Sequence, residues 1–358
     1  MTAAAESTAP REVDLRFWAI DGGASVVDRA PALFRAGWDA YRMWYLRDGE
    51  EARPTYLEGR TALRTHMPEL VEPYDALVEA VGGGDLEARF LSLWCPPPLF
   101  AACSLANWSN GAHVLLRSYD FPPMLCDRVA LRSRWLDTGV LAMADCVWGA
   151  LDGVNEHGLA VALAFGGRPV VGRGFGVALI VRYVLQMARD VASAIEILRR
   201  VPVQLAYNVS LLDRTGASAI VEISPDRPLR VAATATAGNR QGATEWPEHA
   251  AFCGTVEREE CLAVSMDDPA LTLPGLVDAF LRPPLQRPVA DHPWGTVYVA
   301  AYDADALTLD LLWPEQSWRL ALDHFVEGER VRRTAVAAPP ARHLPAPLVA
   351  TGRPLLIA

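Results

Sequence analysis

The residues best suited to chemistry are a cysteine, an arginine and an aspartate that lie close together in the sequence. Cys103 precedes Gly111, and Arg117 and Asp120 lie at the end of the apolar run that follows the glycine. Two short apolar runs around a glycine predict a β-hairpin, which would bring the three side chains to adjacent strand ends. A thiol activated by neighbouring charge attacks acyl carbons. The pattern therefore indicates nucleophilic acyl chemistry at Cys103.

The remaining cysteines do not indicate a disulfide framework or a zinc site. They are spread over a long chain without a CxxC pair, and we interpret them as buried apolar residues. These residues are Cys95, Cys126, Cys146, Cys253 and Cys261.

Composition excludes several functional classes. The 358 residues include 33 basic and 43 acidic residues, for a formal net charge of -10, which argues against sequence-independent binding of nucleic acid. Every basic residue is an arginine. The absence of lysine excludes a Walker A phosphate loop, a lysine Schiff base and a lysine general base.

The sequence also predicts a cytoplasmic protein that does not enter membranes. Residues 1–11 are small and polar, without the apolar core of a signal peptide, and no run of about eighteen apolar residues occurs.

The chain changes character at a proline-rich stretch, residues 95–102. Before this stretch, apolar residues recur at helical spacing over residues 30–47, 68–81 and 86–92. We therefore predict that residues 1–102 form a mostly helical N-terminal segment.

Residues 103–334 are predicted to form the main α+β domain, a layered sandwich. Short β-rich runs occur on both sides of a helical pattern at 177–200, in which Asp190 is expected to cap a break. The β-rich runs cover residues 112–119, 147–151, 159–165, 207–213, 219–223 and 296–302. Residues 335–358 are rich in alanine and proline and are predicted to be a loosely held tail.

The order of these motifs resembles a known family over residues 30–311. Residues 103–120 look like the N-terminal hairpin of the isopenicillin-N acyltransferase-like family of N-terminal nucleophile (Ntn) hydrolases, relatives of the choloylglycine hydrolases. Residues 153–159 are similar to the family's Gly-x-Asn-Glu-x-Gly-Leu stretch, and Asn155 matches its asparagine. A hairpin at 207–216 follows, and Asn239 lies where the family has Thr-Asn-His.

The resemblance implies a four-layer αββα sandwich that cleaves itself. Cys103 would become a new N-terminus after scission of the Ala102–Cys103 bond, and residues 1–102 would be a propeptide fragment. The freed α-amine, with a pKa of about 8, would then activate the thiol of the same residue. Asp120 would hold this ammonium or the guanidinium of Arg117, while Asn155 and Asn239 would donate to the oxyanion.

The expected reaction cleaves or transfers the acyl group of a small amide or peptide-like metabolite, through a thioester acyl-enzyme, to water or an amine. The resemblance implies specialised metabolism and no cofactor, with acyl-CoA as a candidate co-substrate, and two fragments that remain associated. A homo-oligomer is left open.

The chain departs from the family pattern at several positions. Ala102 replaces the usual glycine, and its Cβ makes a strained conformation before the nucleophile harder to reach. Ser104 replaces a common threonine. The arginine that members carry on a late strand has no clear counterpart, because residues 291–296 contain none.

Two alternatives follow from the residues. The first is a catalytically lapsed Ntn fold that binds an acylated ligand. The second is an unprocessed cysteine acyltransferase whose base is one of four histidines, although no papain-like C-G-x-C-W signature surrounds Cys103. The four are His113, His157, His249 and His292.

Overall fold

The computed structural model describes residues 11–292 and 294–336. The predicted tail lies almost wholly outside the described residues. The described strands are β1 (Arg11–Asp21), β2 (Ala102–Trp108), β3 (Val114–Asp120), β4 (Val129–Ser133), β5 (Val140–Asp145), β6 (Gly149–Asn155), β7 (Leu159–Phe165), β8 (Tyr207–Asp213), β9 (Ser218–Ser224), β10 (Arg227–Ala232), β11 (Thr236–Ala237), β12 (Thr296–Asp303), β13 (Thr308–Trp313), β14 (Gln316–Ala321) and β15 (Gly328–Val336). The helices are α1 (Ala30–Tyr45), α2 (Tyr56–His66), α3 (Val71–Ala80), α4 (Asp85–Leu91), α5 (Val177–Met187), α6 (Val191–Arg200), α7 (Pro247–Cys253), α8 (Thr255–Met266) and α9 (Leu273–Phe280).

The strands form two sheets. The larger sheet has nine strands in the order β10-β9-β8-β7-β6-β5-β4-β1-β15, and the smaller has six in the order β11-β2-β3-β12-β13-β14. Neighbouring strands are antiparallel except β1 and β4, which are parallel. Consecutive strands joined by short turns account for most of this order.

Side-chain alternation along the hairpin of β2 and β3 separates two cores. Cys103, Leu105 and Tyr119 contribute to the large core between the sheets. Ala106 and Leu116 face the opposite way, into a smaller core with residues of α8 and α9. Because successive strand residues point to opposite faces, one hairpin serves both cores.

Helices complete the sandwich on its two outer faces. Helices α5 and α6 pack on the nine-stranded sheet, and α8 and α9 pack on the six-stranded sheet. The predicted α+β fold with four αββα layers is confirmed. The break that was expected within 177–200 is also present, since the side chain of Asp190 caps α6 by accepting a hydrogen bond from the Ser193 backbone N–H at 2.8 Å.

Helix α5 packs closely on strand β6, and glycine makes this approach feasible. The first ten residues of α5, from Val177 to Gln186, are buried. A Cβ on Gly153 would lie 2.8 Å from a methyl of Leu185 and 2.9 Å from the carbonyl oxygen of Leu141. Both distances are below ordinary contact, so the spacing of this layer depends on glycine.

The N-terminal segment is helical, as predicted, but it also contributes a strand that the sequence analysis did not identify. Strand β1 lies between β4 and β15 in the nine-stranded sheet. Its buried residues Leu15 and Phe17 belong to the same core as Cys103. The boundary at residue 102 therefore divides the sequence but not the sheet. None of the helices within the described residues has the length and apolar composition that crossing a bilayer requires.

Replacement of Gly153 tests whether the close packing of α5 on β6 depends on this glycine. We expect Gly153→Ala to lower the free energy of unfolding by about 1–3 kcal/mol, because the added methyl overpacks the α5 contact. Chemical denaturation measures this difference. Gly328→Ala is the matched control, because a Cβ there meets only an ordinary contact at 3.8 Å. Equal stability of the two variants would contradict this account of the layer.

Candidate active site

The candidate nucleophile lies in the first strand of the hairpin, facing the space between the sheets. Cys103 pairs with Tyr119 across β2 and β3, so both side chains point to the same face. Arg117 lies two residues before Tyr119 on that face, and its Nη2 donates to the Cys103 Sγ at 3.3 Å. The predicted proximity of thiol and guanidinium is present, and Cys103 is only 1% exposed.

Arg117 is paired with a carboxylate that the sequence analysis did not assign to the site. Its Nη1 donates to Oδ2 of Asp152 on β6, and both side chains are completely buried. The same carboxylate accepts hydrogen bonds from the hydroxyls of Tyr298, at 3.0 Å, and Tyr302. The guanidinium also stacks on the ring of Tyr119, 4.5 Å from its centroid. In the sequence, Asp152 could have been recognised as a site residue because it is an acidic residue within an otherwise apolar run.

The expectation that Asp120 holds the Arg117 guanidinium is wrong. The two residues are three positions apart on one strand, so their side chains point to opposite faces. Asp120 faces α8, where its Oδ2 lies 2.7 Å from Nη1 of Arg258 in an ion pair whose N–H does not point at the oxygen. Its Oδ1 accepts from the Thr296 hydroxyl at 2.7 Å.

Asp120 nevertheless lies beside the predicted scissile bond. It is the residue opposite Ala102 in the strand pairing. Its Oδ2 is buried and, apart from the ion-pair contact with Arg258, has no hydrogen-bond partner within the described part of the chain. Its role toward the α-ammonium of Cys103 stays a prediction.

Asn239 reaches the backbone on both sides of the predicted cleavage point. Its Oδ1 accepts from the backbone N–H of Cys103 at 3.0 Å, and its Nδ2 donates to the carbonyl of Ala101 at 3.4 Å. A third bond joins Nδ2 to the Phe165 carbonyl at 2.9 Å. The structure thus brings Asn239 to the nucleophile, although these residues are far apart in the sequence.

The prediction that Asn155 donates to an oxyanion is wrong for this structure. Its Nδ2 donates to the carbonyls of Leu185, at 3.0 Å, and Ala188, at 2.7 Å, at the end of α5. Its Oδ1 accepts from the backbone of the following turn. Asn155 is three positions from Asp152, so it lies on the opposite face of β6 from the Arg117 partner. The amide anchors a helix end.

Burial dominates the electrostatics of the intact chain. It raises the pKa of the Cys103 thiol, and the positive charge and hydrogen bond of Arg117 offset part of this effect. Burial also raises the pKa of Asp120, against the lowering effects of Arg258 and Thr296. The thiol is therefore mostly protonated at neutral pH, and activation needs an added base or a change in solvation.

The histidines do not supply this base. Within residues 11–292 and 294–336, no histidine forms a hydrogen bond with Cys103. His249 instead contacts Cys253 on α7, at 3.4 Å from Nε2 to Sγ. Burial lowers the pKa of His249 to about 4 and raises the pKa of Cys253 to about 12. Both groups are thus neutral, which does not suit a thiolate–imidazolium pair.

Fold and site together define a class: an αββα sandwich with a cysteine on the first strand of a hairpin and an arginine beside it. Residues 107–241 match the sequence model of the acyl-coenzyme A:6-aminopenicillanic acid acyl-transferase family. The resemblance predicted from the motifs is confirmed over this stretch. The matched stretch includes Arg117, Asp120 and Asn239, and it begins four residues after Cys103.

Solved structures give further similarities. A mutant of conjugated bile acid hydrolase from Clostridium perfringens is 14% identical, over 67% of this chain and 100% of its own, with a TM-score of 0.44. Penicillin V acylase from Agrobacterium tumefaciens is 16% identical, over 62% and 86%, with a TM-score of 0.42. The Caenorhabditis elegans ortholog of N-acylethanolamine-hydrolyzing acid amidase is 12% identical, over 57% and 92%, with a TM-score of 0.39. No match was found among curated proteins.

The role of Asn155 can be tested by its removal. We expect Asn155→Ala to lower the free energy of unfolding by about 2–4 kcal/mol, because it leaves two helix-end carbonyls and two backbone N–H groups without partners. Denaturation of this variant beside Asn110→Ala, at an exposed asparagine, measures the difference. A stable Asn155→Ala protein that has lost only its activity would restore the oxyanion role.

A second prediction concerns the buried ion pair between Arg117 and Asp152. Asp152→Asn leaves the Arg117 charge uncompensated, and we expect it to lower the free energy of unfolding by about 3–5 kcal/mol. Asp310→Asn removes the partner of Arg319, which is 72% exposed, and should cost less than about 1 kcal/mol. Urea denaturation of both variants checks this order, and similar losses would show that the buried pair does not fix the sheets.

Proposed function

We propose that this protein is an autoproteolytically activated cysteine amidohydrolase or N-acyltransferase of the Ntn type. The proposal rests on two hydrogen bonds of Cys103, one to its sulfur and one from its backbone N–H. The Sγ contacts Arg117, and the backbone N–H donates to Asn239. These are the two atoms that an N-terminal cysteine would use, as nucleophile and as base. The family match over residues 107–241 supports an enzyme that acts on amide bonds.

Activation would begin with an acyl shift within the chain. The Cys103 sulfur adds to the carbonyl carbon of Ala102, and its proton passes to the nitrogen that leaves. The C–N bond breaks, giving a thioester and a free α-amine, and water then hydrolyses the thioester to an Ala102 carboxylate and the Cys103 thiol. The acceptor oxygen of Asn239 is suited to hold the new ammonium, and the Asp120 carboxylate, which is paired with Arg258, supplies negative charge beside it.

Turnover would use the same atoms on an external amide. The α-amine takes the thiol proton, the thiolate attacks the amide carbonyl, and the amine half leaves with a proton. Asn239 is a suitable oxyanion donor, because its Nδ2 loses one acceptor once Ala101 moves away. The thioester then passes its acyl group to water or to an amine. Arg117 favours the thiolate throughout.

A non-catalytic binding protein with the same fold is the second candidate. Ala102 and Cys103 both lie in the paired strand β2 and are buried. A regular strand does not store the backbone strain that would help the acyl shift. In this candidate the intact chain would be the mature form.

Intact-mass analysis separates the two candidates. We expect the purified protein to give two fragments that divide at the Ala102–Cys103 bond, and Cys103→Ala to give one full-length chain. Cys253→Ala is the matched control, because it removes another buried thiol of the same core and should still be cleaved. An uncleaved wild-type chain without activity on N-acyl amides would support the binding protein and overturn the proposal.

A further inference from the structure

A cavity lies beside the candidate nucleophile. Its lining includes Tyr119, the cross-strand neighbour of Cys103, and Ala101, two residues before it. Trp44, Phe121 and Phe165 supply aromatic walls. An apolar cavity with few polar groups is the usual form of a small-molecule site.

The cavity lies where the acyl half of a substrate would bind. Ala102 is the acyl donor in the proposed self-cleavage, and the chain that precedes it contributes Pro96, Pro97, Leu99 and Ala101 to the cavity wall. The acyl side of the first bond to be cut therefore already runs along this space. The acyl side of an external amide would follow the same path once this segment is displaced.

Several polar side chains line the cavity with unused capacity for hydrogen bonds: the Trp44 Nε1 donor has no partner, and three acceptor side chains are weakly bonded or unbonded. Asp145 is 9% exposed, Tyr119 is 3% exposed and Tyr207 is 7% exposed. Among the described residues, neither tyrosine hydroxyl has a hydrogen-bond partner. The Asp145 carboxylate accepts from the thiol of Cys146 at 3.4 Å, a weak donor. These three groups line the cavity and are available to a ligand.

The charge around Asp145 is mainly negative, and Arg117, a positive group that acts on it, is already paired with Asp152. A second carboxylate, Asp127, lies close by and accepts from the hydroxyl of Tyr41, and neither aspartate takes part in an ion pair within the described segments. Burial first, and then Asp127, raise the pKa of Asp145 to about 7. A positive group in the cavity would stabilise the ionised form, and aromatic walls are suited to a cation.

We infer that this cavity binds a primary ammonium group carried by the acyl part of the substrate, and that Asp145 determines this specificity. The three N–H donors of an ammonium would bond to acceptors that line the same cavity: the Asp145 carboxylate and the hydroxyls of Tyr119 and Tyr207. The substrate class is thus an amide of an amino-substituted acid. This inference rests on the proposed function.

Paired substrates test the inference. The probes are p-nitroanilides of ω-amino acids of increasing chain length, each beside the isostere in which a methyl replaces the terminal amine. At pH 8, where Asp145 is mostly ionised, we expect the wild-type kcat/KM to favour the best amino substrate at least tenfold. Asp145→Asn should reduce this ratio to near one, and Tyr207→Phe, which removes one hydroxyl, should reduce it partly. Asp39→Asn, at an exposed site on α1, should keep it.

The outcomes separate this inference from the proposed function. A self-cleaved wild type that hydrolyses both members of each pair equally would overturn the ammonium site and leave the amidohydrolase in place. An unchanged ratio in Tyr207→Phe and in folded Asp145→Asn would do the same. A wild type that hydrolyses no member of any pair would overturn both.

Discussion

The buried ion pair between Arg117 and Asp152 is the constraint on which the rest of the site depends. Arg117 comes from the six-stranded sheet and Asp152 from the nine-stranded sheet, and neither side chain is exposed. Burial of an arginine is costly unless a carboxylate and further hydrogen bonds compensate for it. Two tyrosines of β12 donate further hydrogen bonds to the Asp152 carboxylate. The pair therefore fixes the separation and alignment of the sheets at the point where the guanidinium meets the Cys103 sulfur. In this water-poor space its charge acts on the thiol with little screening.

The sequence was sufficient to predict features that depend on local pattern. The hairpin, the proximity of Cys103 and Arg117, and the capped break at Asp190 all follow from spacing and turn chemistry. The same reasoning, carried further, would have corrected the roles of Asp120 and Asn155. A residue three positions away on a strand points to the other face, so Asp120 could not reach the Arg117 guanidinium. For the same reason Asn155 and Asp152, the partner of Arg117, point to opposite faces of β6.

Other features could not be predicted from local pattern because they depend on long-range contacts. Arg258 reaches Asp120 from α8, and the bond from Cys103 to Asn239 joins residues that only the complete fold brings together. The turn after β5 is a further case: Cys146 and Val147 have φ angles of 51° and 76°, an unusual conformation for β-branched or bulky residues. The sequence therefore predicted a strand from 147, whereas β6 begins at Gly149. Tertiary packing determines this backbone, and with it the orientation of Asp145.

The position of β1 determines what a cut at residue 102 would do to the molecule. This strand makes nine residue pairs with β15 and four with β4, and it is the connection between them. Scission would thus give two polypeptides but a single folding unit, in which each piece completes the hydrogen bonding of the other. A gene that encodes only the residues from 103 onward would yield a sheet with an open slot between β4 and β15, a surface prone to strand exchange and aggregation. Such a sheet would need its missing strand supplied in trans.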